Sequence, residues 1–248
     1  GYARANSSSH EFVYAPSDSK FAEASVFAHA TRTFAWFKEL GFSYAENQPL
    51  TLRIHAVVNN DPNNALYTPS SSSGAPTILV GDGDGIVLAN LATDGDVVSH
   101  EFGHHVIYQS LKETRGQSLV LHEGLADFFT FARTDDPCLG NSICPVNSPI
   151  SCQIPGQCLR TAENSYRYTD SNLPVQAHFR SQLFSGLLWD LRTGGAIPPE
   201  TVTKIVYNSL KFYLSDSGYH DFVLALMLAD EEISSGQYQC DIYNAALE

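Results

Sequence analysis

The chain has 248 residues, 43% of them hydrophobic, which is enough for one large domain or two joined lobes around a buried core. The chain has 27 Asp and Glu against 14 Lys and Arg, a formal charge of -13, and it has no run of basic residues. This charge repels phosphate backbones and anionic lipids, so nucleic acid and anionic membranes are not expected as partners. No apolar stretch approaches the roughly 20 residues of a membrane-spanning helix, so we expect a soluble chain. Residues 1–10 lack the profile of a signal peptide, so if the protein is secreted, its export signal is expected to have been removed.

The front half of the chain predicts one helix and three strands. Apolar residues recur at three- and four-residue intervals over 20–40 and stop at a glycine, which indicates an amphipathic helix. Residues 50–58 alternate and are rich in β-branched side chains, so they predict a strand, and shorter strands are expected at ALYT (65–68) and TILVG (77–81). GDGDG (81–85) follows as a turn whose glycines permit positive φ.

The back half of the chain reads as helical. Buried stripes at helical spacing predict helices at 96–111, 118–133, 176–191, 199–213, 219–234 and 237–247. There is no repeat at a fixed period and no linker-like segment. The sequence therefore predicts an α+β fold with a strand-rich N-terminal lobe, 1–115, that carries the first of these helices. The C-terminal lobe, 116–248, is expected to be mainly helical, to include a cysteine-rich loop at 138–158, and to form one unit with the first lobe.

Four of the five cysteines lie in one proline-rich loop, at Cys138, Cys144, Cys152 and Cys158. This crowding is typical of disulfides formed in an oxidising compartment. A four-thiolate zinc site is the alternative, but the loop has no Cys-x-x-Cys pair. Adjacent pairing, Cys138 with Cys144 and Cys152 with Cys158, is expected, although spacing does not fix connectivity. Cys240 is left either free and buried or tied to this loop.

The segment VVSHEFGHHV contains His-Glu-x-x-His at 100–104. Residues four apart share one helix face, so His100 and His104 can point at one metal ion while Glu101 reaches a water bound to it. Two histidines that are merely solvated or hydrogen-bonded on a helix are the alternative. A third histidine ligand of the metzincin type would require Gly at 107 and His at 110, where the chain has Ile107 and Ser110.

A pair of acidic residues further along the chain is predicted to supply the third metal ligand. LHEGLADFF places Glu123 nineteen residues after His104, and Asp127 is four residues further on the same helix face. Two antiparallel helices would bring Glu123 to the metal and set Asp127 behind a ligand histidine, where it accepts the free ring N–H. His122 would project about 100° away from Glu123 and is the alternative third ligand. His105 faces away from the ligand stripe for the same reason, and it is expected to be either a core or a surface histidine.

The pair HEFGHH and HEGLADFF resembles the paired zinc helices of the thermolysin-like and fungalysin-like metallopeptidases, the gluzincins. The resemblance touches nearly the whole chain and is weakest in the cysteine loop. It extends to NNALY (63–67), GDGDG (81–85), DGDVVSHE (94–101), KELGF in the first helix and FVLALMLADEEI near the C-terminus.

The resemblance implies a thermolysin-like fold with a zinc cleft between the two lobes. It implies that His100, His104 and Glu123 bind one Zn²⁺. Asn64 and the backbone of Ala65 would bind the substrate main chain on a sheet edge, where an ordinary turn is the alternative. By the same resemblance His178 would stabilise the oxyanion, with a helix cap or a packed ring as the alternative.

The chain departs from the thermolysin pattern in three places. Residues 180–182 read Arg-Ser-Gln where the family has Asn-Ser-Gly, and Thr114 stands where an assisting tyrosine is expected. Residues that could orient or assist His178 are Tyr166, Tyr168 and Asp170, among which the sequence does not choose. The family's calcium sites are only partly matched, by Asp96 with Asp135 or Asp136, and solvated loop acids are the competing interpretation of these residues.

The sequence thus predicts a secreted, monomeric zinc metalloendopeptidase that acts on peptides or proteins, with Glu101 as general base and His178 as a second catalytic residue. Two alternatives come from other classes. The chain could bind peptides or proteins through a silent zinc site, or it could hydrolyse a substrate that is not a peptide.

Overall fold

The computed structural model describes residues 4–43, 49–70, 74–148, 152–154 and 156–247. The strands are β1 (Thr51–Ala56), β2 (Ala65–Thr68), β3 (Thr77–Gly81), β4 (Cys138–Leu139) and β5 (Arg160–Thr161). The α-helices are α1 (Phe21–Glu39), α2 (Gly95–Tyr108), α3 (Gln117–Thr134), α4 (Ala177–Arg180), α5 (Gln182–Thr193), α6 (Pro199–Ser209), α7 (Tyr219–Ser234) and α8 (Gln239–Ala245). The predicted α+β fold, with strands first and helices after them, is confirmed. None of the described helices is long and apolar enough to cross a membrane.

The chain divides into two compact units that are not consecutive stretches. The first unit is Gly1–His105 with Cys138–Arg160, and the second is Val106–Pro137 with Thr161–Glu248. The cysteine loop is therefore grouped with the N-terminal part of the chain, and the first boundary lies within the continuous helix α2. The division into consecutive lobes at 115/116 stays a prediction.

The first unit is built on a three-stranded sheet in the order β1, β3, β2. β1 runs parallel to β3, and β2 runs antiparallel to it with Ala65 opposite Val80. All five residues of β3 lie in the buried or half-buried range, as expected for the central strand. β2 is an edge strand of this sheet, which is the position that the sequence predicted for NNALY. Helix α1 buries its apolar stripe, and Phe37 stacks on Phe102 of α2 with ring centroids 5.9 Å apart.

The disulfide pairing predicted for the cysteine loop is wrong. The bonds are nested, Cys138 with Cys158 and Cys144 with Cys152, rather than adjacent. The physical reason is that the two ends of the loop pair as β4 and β5, and this ladder brings the outer cysteines together and leaves the inner two to each other. Cys240 is free but exposed, so the expectation that a free Cys240 would be buried is also wrong.

The second unit is helical, with α3 at its centre. From Leu121 to Phe131 every residue of α3 is buried, which explains why this stretch is almost entirely apolar except at His122, Glu123, Asp127 and Thr130. The helix predicted over 176–191 is wrong as one continuous element, since the chain forms the short α4, a junction at Ser181 and then α5. Neither glycine nor proline stands at this junction, so the sequence contains no local signal for it.

Candidate active site

Helix α2 carries the first two metal-ligand candidates and the candidate base. His100 and His104 lie one turn apart with ring centroids 4.5 Å apart and planes at 80°. Glu101 is buried beside them. Because Val97, Val98 and Phe102 are also buried, the helix is held on more than one face, and the rings are presented from a rigid element.

Helix α3 supplies the third ligand candidate. One donor atom each from His100, His104 and Glu123 lies within 4.8 Å of the other two, and this is the one such group of three or more His, Cys, Asp or Glu among the described residues. Glu123 is therefore the third member, as predicted, and His122 is not part of the group. Asp127 is fully buried one turn beyond Glu123, and its role behind a ligand histidine stays a prediction.

The donor set fits a catalytic zinc ion. Two neutral imidazoles and one carboxylate are the protein ligands of a zinc site that keeps its fourth position open for water. All three ligand residues are carried by the two long helices α2 and α3. Cys144, Cys152 and the outer cysteines are all disulfide-bonded, which excludes the four-thiolate alternative in the loop.

His178 lies close to the third ligand. Its Nε2 is 3.5 Å from Oε2 of Glu123, and its side chain is 47% exposed. The ring is therefore open to solvent and adjacent to the metal group, a position suited to a hydrogen-bond donor for bound substrate. This exposure disfavours the alternative of a packed ring, and the catalytic role of His178 stays a prediction. The helix cap of α4 is Gln176, so His178 does not act as that cap either.

The predicted substrate edge is fixed by the turn after β3. The backbone N–H groups of Gly81 and Gly83 donate to the carbonyls of Asn64 and Pro62, each at 3.0 Å. A Cβ at Gly81 would lie 2.1 Å from the carbonyl oxygen of Pro62, so this close approach requires glycine. Asn64 is exposed at the start of β2, and substrate binding by Asn64 and Ala65 stays a prediction.

Asn63 ties the same loop to the turn with its side chain. Its Oδ1 accepts the N–H groups of Asp84 and Leu88, and its Nδ2 donates to Asp84. The backbone N–H groups of Val87 and Ile86 donate to the Asp84 carboxylate and hold its pKa below the usual value. GDGDG is therefore a turn, as predicted, whose polar groups are used to hold the strand that follows Asn63.

His105 links the zinc helix to the edge strand. Its Nδ1 lies 3.2 Å from the hydroxyl of Tyr67 on β2, inside a cluster of aromatic rings that includes Phe42 and Phe102. Burial lowers the pKa of His105 to about 4, which leaves the ring neutral. His105 is thus a core residue, one of the two alternatives that the sequence left open.

The calcium candidates are not gathered into a metal site among the described residues. Asp96 accepts the N–H of Gly140 at 3.3 Å, and Asp135 forms an ion pair with Arg192 at 3.0 Å. These acids have partners within the protein, so the expectation of a calcium site at Asp96 with Asp135 or Asp136 has no support in the described residues.

Residues 3–108 match the family model of the thermolysin metallopeptidase catalytic domain, a stretch that includes the edge strand and the whole zinc helix. The same chain holds the His-His-Glu group in place. The matched part of the chain is similar to the thermolysin family of metallopeptidases. The resemblance to the thermolysin-like metallopeptidases is therefore confirmed, and His100, His104 and Glu123 form a zinc-binding group typical of these enzymes.

A solved structure supports the fold over the rest of the chain. The precursor of protealysin, a metalloproteinase from Serratia proteamaculans, is similar with a TM-score of 0.71 and 17% identity, over 96% of this chain and 80% of that chain. At this identity the similarity is one of fold. A search of curated proteins found no match to this sequence.

Two residues near the site have roles that the sequence did not indicate. Gly124 follows Glu123 and lies against the α4–α5 junction, where a Cβ would meet the carbonyl oxygen of Ser181 at 2.7 Å. A glycine inside an apolar helix was a usable signal for such a contact. Gln176 forms hydrogen bonds both with the backbone of α4 and with His178. The sequence did not indicate this role, because no sequence pattern marks the start of the four-residue helix α4.

Proposed function

We propose that this thermolysin-family metallopeptidase is a secreted endopeptidase in which Glu101 acts as general base and His178 stabilises the oxyanion. The observation that carries this proposal is the grouping of His100, His104 and Glu123 with their donor atoms within 4.8 Å, next to Glu101 on the same helix. Hydrolysis with a metal and an adjacent carboxylate is the chemistry this donor set performs best.

Zinc held by His100, His104 and Glu123 would lower the pKa of a water molecule toward about 7 and would polarise a carbonyl oxygen. Glu101 is placed to take a proton from the attacking water and to pass it to the leaving amine, because it lies one residue from a ligand histidine. His178 donates a hydrogen bond to the oxygen on which negative charge develops. Charge appears there mainly in the transition state, so this donor raises kcat more than it lowers KM.

Asp127 and the β2 edge complete the proposed machinery. Asp127 is buried on the same face of α3 as Glu123, and there it accepts the ring N–H of a ligand histidine and fixes the tautomer. The substrate adds to the outer edge of β2, with Asn64 and the backbone of Ala65 holding its main chain. Among the described strands β2 pairs with β3 alone and lies at the edge of the sheet, which supports this mode of binding.

Replacement of Glu101 tests the mechanism. Glu101→Gln keeps the size of the side chain but not the base, so we expect full zinc content and a loss of casein hydrolysis of about 100-fold or more. Glu113→Gln is the matched control, since the same chemical change is made on a side chain that is 73% exposed. Hydrolysis at the parental rate by Glu101→Gln would refute the role of Glu101.

Metal analysis tests the ligand set on the same samples. Glu123→Ala should reduce zinc per chain and peptidase activity together, because it removes one of three protein ligands. Full zinc occupancy in this variant would instead direct attention to His122. Loss of both zinc and activity in Glu123→Ala, beside full zinc content with lost activity in Glu101→Gln, would separate metal binding from the base.

Digestion of an unbiased peptide library distinguishes the proposal from its alternatives. An endopeptidase cleaves internal bonds of peptides whose termini are acetylated and amidated. A silent peptide-binding module retains peptides without cleaving them, and a hydrolase of another substrate does neither. Glu101 and His178, both present beside the zinc ligands, favour cleavage over silent binding.

Secretion and a monomeric state are further parts of the proposal. The two disulfides favour an oxidising, extracytoplasmic compartment. Comparison of culture medium with cell fractions by immunodetection tests the location, and recovery of the protein only inside reducing cells would contradict it. Light scattering at working concentration should give the mass of one chain, 27.1 kDa.

A further inference from the structure

Gln176 contacts His178 through one end of its amide and the backbone through the other. It is the N-cap residue of α4, and its Oε1 accepts the N–H of Phe179 at 3.0 Å. Its Nε2 lies 2.6 Å from Nδ1 of His178. A single amide thus bridges the start of the helix and the imidazole ring.

The capping bond fixes which way the amide points. A backbone N–H only donates, so the oxygen of Gln176 must face Phe179 and the nitrogen must face the ring. An amide nitrogen also only donates, so Nδ1 of His178 must accept. A neutral imidazole that accepts at Nδ1 carries its proton on Nε2. Nε2 is the atom that lies 3.5 Å from the zinc ligand Glu123, so the proton is on the side of the metal group.

Two of the three residues that the sequence offered as helpers of His178 have other partners. Asp170 accepts the N–H of Arg167 at 2.8 Å, and Tyr168 stacks on Tyr219 with ring centroids 4.6 Å apart. Gln176 is therefore the better candidate for the residue that orients His178. The side chain of His178 is nearly half exposed, so packing alone does not hold its ring in one orientation, and a short hydrogen bond at Nδ1 does so directly.

We propose that Gln176 is a positioning residue that keeps His178 in its Nε2–H tautomer and aims this proton at the oxyanion. The inference rests on the proposed role of His178 in peptide hydrolysis. The donor it describes is a neutral imidazole held by an amide. Gln176 acts through His178 and does not touch the reacting atoms.

Gln176→Ser is the variant that separates this role from helix capping. Serine is a favoured N-cap and still accepts the N–H of Phe179, but it is too short to reach the imidazole. We expect unchanged zinc content, KM within about twofold, and kcat lowered about three- to tenfold, the loss expected for one hydrogen bond. A kcat equal to that of the parent would overturn the proposal.

Gln117 provides a matched control in the same unit. Its Oε1 accepts the N–H of Tyr219 at 3.1 Å and its Nε2 donates to Tyr168 at 3.2 Å, so it too bridges a helix start and a ring side chain. Gln117→Ala should lower stability but leave kcat at the parental value. An equal fall of kcat in both variants would show that loss of structure, and not the tautomer, is responsible.

Two further measurements decide how Gln176 acts. In a His178→Ala background, Gln176→Ser should cause no additional loss of kcat, and a second fall of the same size would refute action through His178. In the zinc-loaded parent labelled with ¹⁵N-histidine, the His178 signals, assigned by their loss in His178→Ala, should show an unprotonated Nδ1. A protonated Nδ1 would overturn the tautomer. If His178→Ala itself left kcat unchanged, the proposed role of His178 would fail, whereas the NMR result for the Gln176 bond would stand on its own.

Discussion

The contact made by Gly124 predicts what a single added methyl group does to the zinc site. A Cβ at this position would lie 2.7 Å from the carbonyl oxygen of Ser181 and 2.7 Å from Cβ of Phe184, against an ordinary limit of 3.4 Å, so each neighbour must move by about 0.7 Å. Ser181 has little freedom to do so, because its carbonyl accepts the N–H groups of Phe184 and Ser185 at the start of α5.

Two opposing terms set the size of the effect of Gly124→Ala. Alanine in a helix interior is favoured over glycine by about 1 kcal/mol, whereas overpacking of a close contact costs about 1–3 kcal/mol. We therefore expect the free energy of unfolding to change by between zero and a loss of about 2 kcal/mol. Zinc affinity should fall as well, because the helix that must retreat carries Glu123 as the preceding residue.

Urea unfolding and competition with a chelator measure the two consequences of Gly124→Ala separately. The larger Gly124→Val should lower both quantities further. A gain of about 1 kcal/mol in stability with unchanged zinc affinity, the result of helix propensity alone, would refute the close packing of α3 on the α4–α5 junction.

Two other predictions concern stability. Replacing Cys138 and Cys158 by serine should lower the free energy of unfolding by about 3 kcal/mol, and replacing Cys144 and Cys152 should lower it by about 2.5 kcal/mol, because the two bonds span 20 and 8 residues. Urea unfolding measures both losses. Peptide mapping without reductant would contradict the nested bonds if it found adjacent pairs. Burial raises the pKa of Tyr213 above 10, so the unfolded chain loses this proton first and stability falls as pH rises beyond 10, by up to about 1.4 kcal/mol per pH unit. Thermal unfolding at several pH values above 10 measures this loss of stability, and Tyr213→Phe should reduce it. An unchanged dependence of stability on pH in this variant would contradict the prediction.

The part of the site that the sequence predicted depends on spacing along single helices. His100, His104 and Glu101 are related by one helical turn, and Glu123 with Asp127 by another, so periodicity alone places them on common faces. The three short strands were equally predictable because alternation and turn residues bound each of them. These features are local, and the residues that define them lie within a few positions of one another.

The features that the sequence did not predict depend on contacts between distant residues. The break at Ser181 has no glycine or proline beside it, and its carbonyl lies against Gly124, more than fifty positions earlier. The cysteine pairing follows from the β4–β5 ladder, whose two strands are too short to be recognised by alternation. Gln176 was missed because its role depends on which atom of its amide faces the ring.

The cysteine loop is connected to the zinc helix through two acidic residues at the start of that helix, of which one, Asp96, was a calcium candidate. Asp94, immediately before α2, accepts the N–H of Ser142 at 2.9 Å, and Asp96 in its first turn accepts the N–H of Gly140 at 3.3 Å. Negative side chains at a helix N-terminus are favourable in themselves, and here they also hold a loop closed by two disulfides. The bonds that close this loop therefore restrain the start of the helix whose next turn presents His100, so reduction of the disulfides acts on the same element that holds the metal.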